Sequence, residues 1–197
     1  TDDGDLKLTV IGDTEPRGLC GSGLVDAVAA LADAGLIDES GRFTQGLAAH
    51  FAERLTMIGQ ERVFVLHWSA DRDPASSVYL SQRDVRELQF AKAAIATGWR
   101  ILLEEAGLET ADIKQVLLAV SFGSYLNAKS AIGIGLVPDV GTRRIIAAGN
   151  VAGEGAKMAL LSLRDRAAAL ALLQEVKYVE LSDRTDFNDR FIDQLSF

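Results

Sequence analysis

Residues 78–107 constrain the fold most. Val78-Tyr79-Leu80 reads as a short strand that feeds directly into the longest helix of the chain. Ser81 and Asp84 set out a capping box, with Asp where Glu or Gln is usual. Val85, Leu88, Ala91, Ile95, Trp99 and Leu102 follow at helical spacing and predict one apolar stripe. Gly107 is placed to end the helix. A long amphipathic helix launched from a strand has to lay its stripe on a neighbouring layer, which points to an α/β architecture.

The rest of the chain repeats this alternation. Leu6–Ile11, Arg62–Trp68, Val116–Val120, Arg144–Ala148 and Tyr178–Leu181 read as strands. Leu24, Val28, Leu31 and Leu36 predict a helix stopping near Gly35. Asn127 can cap a short helix carrying Ala131, Ile132 and Ile134. Helices are also predicted over about Gly153–Leu163 and Arg164–Leu173, and Phe187 to Leu195 has helical spacing. Residues 42–61 are ambiguous. The expectation is an α/β fold with a largely covered sheet, in which ligands meet the carboxyl ends of strands.

Composition narrows the chemistry. The chain has 197 residues, long enough for one large domain or two small lobes with a core that needs no disulfide. Twenty Lys and Arg against 28 Asp and Glu give a net charge of −8. With no basic cluster, that argues against nucleic acid or an anionic membrane surface as partner. A lone Cys20 excludes an internal disulfide, a multi-cysteine zinc site and an all-cysteine iron–sulfur site. His50 and His67 lie in unrelated contexts, and no metal-ligand set stands out. No apolar run reaches the roughly 18–20 residues of a membrane span, and the start lacks signal-peptide character. These features lead to an expected cytoplasmic location. The strand-like Leu6–Ile11, with almost no lead-in and no initiator Met, also leads to the expectation of a fragment of a longer protein.

Three loops can carry chemistry. Gly21-Ser22-Gly23 precedes a helix, where small residues let backbone N–H groups approach an anion. The same residues also suit a tight helix entry with Cys20 packed as a small hydrophobe. Ser121-Phe122-Gly123 follows a strand and can either pass close to a ribose or base or serve as a plain turn. Gly149 to Gly155 contains Asn150 as a helix cap, with close helix packing the simpler reason for Gly153 and Gly155. Asp84 and Glu87 share the first turns of the long helix, where a solvated charged face is the default reading. There is no supported Ser/His/Asp set and no HExxH or GxxxxGK[ST] pattern, so no catalytic residue is assigned.

Taken in order, the motifs GLCGSGLVD (18–26), GLID (35–38) with GRF (41–43), QRDVRELQFAKAAI (82–95), FGSYL (122–126), AIGIGLVPD (131–139), Gly149-Asn150 and MALLS (158–162) form a specific series. The series, with YVEL (178–181) and DRF (189–191), resembles the C-terminal part of the reductive activators of corrinoid proteins over nearly the whole chain. The resemblance implies a ribonuclease H-like, actin-like ATPase fold of the acetate kinase/sugar kinase/heat-shock chaperone/actin superfamily, here as an incomplete two-lobe domain over residues 1–197. It also implies an upstream phosphate loop of the form DIGTNGE and an N-terminal 2Fe–2S ferredoxin domain, both outside this sequence. The implied activity uses ATP with Mg to drive reduction of cob(II)alamin to cob(I)alamin on a corrinoid methyltransferase partner, with little hydrolysis by this part alone. Gly21, Ser22 and Gly23 carry over as a phosphate-facing or hinge loop. Ser121, Phe122 and Gly123 carry over as the adenosine loop, and Gln82 and Glu87 as ribose-facing residues. Where the family has Gly-Gly-Phe-Gly, this chain has Val120-Ser121-Phe122-Gly123, and a β-branched Val disfavours positive φ. That departure supports an alternative, a docking or homodimerisation module with degenerate nucleotide binding. A small-molecule kinase on the same fold is a third reading.

Overall fold

The computed structural model describes residues 6–45, 49–119 and 126–197. Helix α1 (Gly21–Asp33) buries Val25, Val28 and Leu31 and ends at Gly35, whose φ of +68° suits glycine. After a short helix α2 (Ala49–Ala52), strands β1 (Leu55–Ile58), β2 (Glu61–His67) and β3 (Val78–Ser81) form an antiparallel sheet in the order β1-β2-β3. β2 is central, and Val63, Phe64, Val65 and Leu66 are buried in succession, so both faces of the strand are covered. Helix α3 (Gln82–Glu105) springs from β3 through the predicted capping box: Ser81 Oγ accepts from Asp84 N, and Asp84 Oδ2 accepts from Ser81 N. One core cluster joins Val25, Val28 and Leu31 of α1 to Phe64, Leu66 and Leu80 of the sheet and to Val85 and Leu88 of α3.

Strand β4 (Val116–Leu118) pairs in parallel with β5 (Ile145–Ala147), with helix α4 (Ala128–Gly133) between them in sequence. Asn127 caps α4 as predicted, its Oδ1 accepting from Lys129 N and Ser130 N. Helices α5 (Val151–Leu161), α6 (Leu163–Leu172) and α7 (Phe187–Asp193) complete the chain. Among the described residues no helix is long and apolar enough to cross a membrane.

Four expectations change. Among the described residues the single covered sheet is two sheets, and on the parallel pair Leu117 and Ile146 remain exposed. Leu6–Ile11 and Tyr178–Leu181 are not strands. Their alternation is compatible with extended chain, but a strand also needs a ladder partner, and the described residues offer none. At 178–182, Glu180 instead gathers its neighbours: Tyr178 Oη and Ser182 Oγ both donate to its carboxylate at 2.6 Å, and these bonds hold its pKa down at about 2. The ambiguous stretch 42–61 contains β1 and its hairpin with β2.

The fourth change concerns α3. Val85 and Leu88 are buried as predicted, but Ile95 and Leu102 are about half exposed and Ala91 is exposed. The buried face is offset and consists of Gln89, Lys92, Ala93, Ala96, Thr97, Gly98 and Ile101. It is small and polar because it receives main chain. Gln89 Nε2 donates to Leu195 O at 2.9 Å and to Ser40 O at 3.2 Å, and Lys92 Nζ donates to Ser196 O. A side chain at Gly41 would collide with the Gln89 amide. Helix α7 locks on through Phe90–Phe191 stacking at 6.0 Å and Arg190–Glu104 at 2.5 Å. Gln89→Leu keeps the volume but strands two carbonyls, so it is expected to lower stability by about 2 kcal/mol. A denaturant midpoint equal to wild type would contradict this account of the buried amide.

Candidate functional site

One end of the antiparallel sheet gathers three segments. The hairpin register Ile58↔Glu61 puts a two-residue turn, Gly59-Gln60, at this end, with Gly59 at φ +62°. The register Val63↔Ser81 brings the exit of β3, and therefore the first turns of α3, to the same end. The turn at 38–45 is tied there by Gln82, whose Nε2 donates to Gly41 O at 2.6 Å and whose Oε1 accepts from Phe43 N at 3.2 Å. Between these segments lies an open groove of about 1050 Å³.

Gln82 and Glu87 both line this groove, so the structure brings these two predicted residues together. Their side chains differ in availability. The Gln82 amide is engaged on both its oxygen and its nitrogen by the 41–43 turn. Glu87 is exposed, with only a long i,i+4 contact to Arg83 at 3.9 Å. Asp84 is committed to the cap. The groove also presents Arg42, Arg62, Arg83 and Arg86. Sequence reasoning missed these arginines because they come from three segments, and scattered single positions leave no basic cluster to see.

Gly21, Ser22 and Gly23 sit elsewhere, at the N-terminus of α1 beside a smaller cavity of about 270 Å³ that includes Cys20, Gly23, Leu66 and Val78. Cys20 is the N-cap and is exposed, which corrects its expected role as a packed hydrophobe. Its Sγ lies 3.3 Å from Ser22 Oγ and accepts from Gly23 N at 3.4 Å. These two contacts, the hydroxyl foremost, pull the thiol below its ordinary pKa. A Cβ added at Gly21 would meet nothing within 4 Å, so packing does not demand glycine there. Ser121, Phe122 and Gly123 lie outside the described residues, as does Val120. At the third loop, Asn150 caps α5 by accepting from Gly153 N at 3.0 Å, and a Cβ on Gly153 would press on the Asn150 amide at 2.9 Å. A side chain at Gly153 would therefore disturb the cap, with no other contact within 3.3 Å from helix packing. Among the described residues no group of three His, Cys, Asp or Glu could hold a metal ion.

A family profile described as the C-terminal domain of RACo, the ASKHA domain, matches residues 1–197. The chain belongs to this RACo C-terminal family. A curated relative, corrinoid activation enzyme RamQ of Eubacterium limosum, is 33% identical over 195 residues, covering 97% of this chain and 33% of RamQ. A solved structure described as a reductive activator for corrinoid, iron-sulfur protein superposes with a TM-score of 0.85 at 36% identity. It covers 96% of this chain and 30% of that one. The RACo C-terminal chain thus spans about a third of the length of these relatives, and its fold is the actin-like ASKHA fold.

The Cys20 geometry gives a direct check on the α1 terminus of this family member. Ser22→Ala removes the larger of the two contacts that favour the thiolate, so the Cys20 pKa should rise toward its ordinary value. The pH midpoint of Cys20 alkylation by iodoacetamide reads this out, and an unchanged midpoint would contradict the hydroxyl–sulfur contact.

Proposed function

We propose that this chain is the nucleotide-handling domain of a longer cytoplasmic iron–sulfur protein that uses ATP to reactivate a corrinoid protein. The carrying observation is that both a curated relative and a solved structure matched over almost all of this chain, at 33% and 36% identity, are described as corrinoid activators. In this reading the partner is a corrinoid-binding methyltransferase protein, and the step returns one electron to its cob(II)alamin. ATP with Mg drives a change in the complex that makes an uphill reduction feasible.

The residues present bear on the cofactors differently. The open backbone at Gly21 suits phosphate chemistry. A 2Fe–2S cluster does not fit here, because the chain has one cysteine. The reading therefore places the cluster in a ferredoxin domain and the DIGTNGE loop in another segment of the polypeptide. Surface area supports a domain that packs against more protein. The chain exposes 13110 Å², whereas a self-contained monomer of 21.1 kDa exposes about 9000 Å². Ser121, Phe122 and Gly123 serve as the adenosine loop in this proposal.

A second reading, a docking or homodimerisation module, draws on α5 and α6, which bury no residue and expose Leu160, Leu161 and Leu163 at 75–84%. The test uses the full-length protein with its cognate corrinoid protein and a chemical reductant for the cluster. ATP is expected to accelerate the cob(II) to cob(I) conversion, followed by corrinoid absorbance. Equal rates with and without ATP, together with no calorimetric binding of ADP, would leave the docking module as the better reading.

A further inference from the structure

The open faces of this domain differ in chemistry. Leu117, Ile146 and the α5–α6 hairpin present apolar surface, which is the composition of a permanent interface. The groove at the sheet edge is lined instead by four arginines, three carboxylates and the half-exposed ring of Phe90, in a chain of net charge −8. Arg62 at the start of β2 and Arg86 in the second turn of α3 are exposed and make no hydrogen bond or ion pair among the described residues. Arg42, in the 38–45 turn, acts only through its charge, helping to lower the Asp38 pKa after the larger effects of the Ser40 hydroxyl and the Arg42 amide. The carboxylates are already employed. Asp38 accepts from Ser40 Oγ at 2.7 Å and from Arg42 N at 3.0 Å. Glu61 accepts from Arg83 N at 3.3 Å, and Glu87 faces the Arg83 guanidinium.

The free arginines stand on backbone that is already fixed, so an occupant has only side chains to order. Gln82 holds Gly41 O and Phe43 N on either side of Arg42. Arg62 is paired with Met57 in the β1–β2 ladder, and Arg86 follows the capped first turn of α3. Phe90 stacks on Phe191 at 6.0 Å, and Phe191 stacks on Phe187 at 6.3 Å, so the exposed ring is braced from behind. Arginine and rigid aromatic side chains are the residues that carry most binding energy at protein interfaces. Guanidinium groups take carboxylates through two parallel hydrogen bonds. A nucleic acid would meet the groove carboxylates and the negative charge of the whole chain. The phosphate-facing loop 21–23 belongs to the other cavity, beside Cys20.

We propose that this groove docks a carboxylate-bearing segment of the corrinoid protein, with Arg42, Arg62 and Arg86 on its Asp or Glu side chains and Phe90 against its apolar part. The proposal rests on the activator reading above and adds the surface and the chemistry of recognition to it. An activator has to release its partner after reduction, and exposed charge pairs suit an interface that forms fast and separates again.

Calorimetry of the full-length protein with its cognate corrinoid protein tests this, with circular dichroism confirming that each variant is folded. The wild-type complex is expected to weaken as salt rises. The charge reversal Arg62→Glu, Arg86→Glu should weaken it about tenfold or more and leave ADP affinity unchanged. The milder pair Arg62→Gln, Arg86→Gln should shift affinity in the same direction. Arg164→Glu, on α6 outside the groove, should not. A folded reversal variant with wild-type affinity for the corrinoid protein overturns the proposal, and one that loses only ADP returns the groove to the nucleotide. The two readings fail separately. ATP-dependent reduction together with normal partner affinity in the reversal variant removes the groove alone. A complex weakened by the reversal, with equal reduction rates with and without ATP, removes the ATP-driven role alone. No complex in the wild type removes both.

Discussion

Three side-chain donors on one face of α3 hold the groove end of this domain together. Gln82, Gln89 and Lys92 reach across to carbonyl oxygens of Gly41, Ser40, Leu195 and Ser196, none of which belongs to a strand ladder. Buried carbonyls without partners are costly, so the helix surface that receives them must be polar. Lys92 bears the cost most visibly. Its burial, and secondarily the charge of Arg100, pushes its pKa down, while the Ser196 carbonyl and the Phe197 ring at 5.4 Å compensate the ammonium. Because Phe197 N also donates to Glu39 O, the final residues and the 38–43 turn are tied to each other as well as to the helix.

That tie gives the groove its shape. The turn carrying Arg42 is held against the start of α3, and the β1–β2 hairpin supplies the opposite wall. The groove is thus built from one rigid helix end, one tight hairpin and one clamped turn. The other faces are less finished. The parallel strand pair leaves Leu117 and Ile146 exposed, and the α5–α6 hairpin contributes nothing to the core. The chain spans about a third of its relatives' length and leaves this apolar surface uncovered among the described residues.

Local signals were legible in the sequence. The Ser81–Asp84 cap, the Asn127 cap, and the glycine stops at Gly35 and Gly107 all depend on residues a few positions apart, and all were read correctly. Signals that depend on a distant partner were not. Leu6–Ile11 and Tyr178–Leu181 have strand patterns without a ladder among the described residues. The α3 stripe through Ile95 and Leu102 was read as core because apolar spacing cannot reveal that 195–196 would deliver carbonyls to Gln89 and Lys92. Of the groove lining, Gln82 and Glu87 were singled out because they sit on the recognisable helix. Arg42 and Arg62 were not, because only folding brings them beside Arg86. The motif order, by contrast, identified the family, since an ordered series over nearly the whole chain is far more specific than any one glycine loop.

The central claim is that this domain handles the nucleotide of a corrinoid activator. Amide hydrogen exchange on the full-length protein, with and without a non-hydrolysable ATP analogue, tests it most directly. The account predicts slowed exchange within residues 1–197, foremost at 21–23 and 82–87, when the analogue is present. Nucleotide-dependent protection confined to other parts of the polypeptide, with residues 1–197 unchanged, would contradict it.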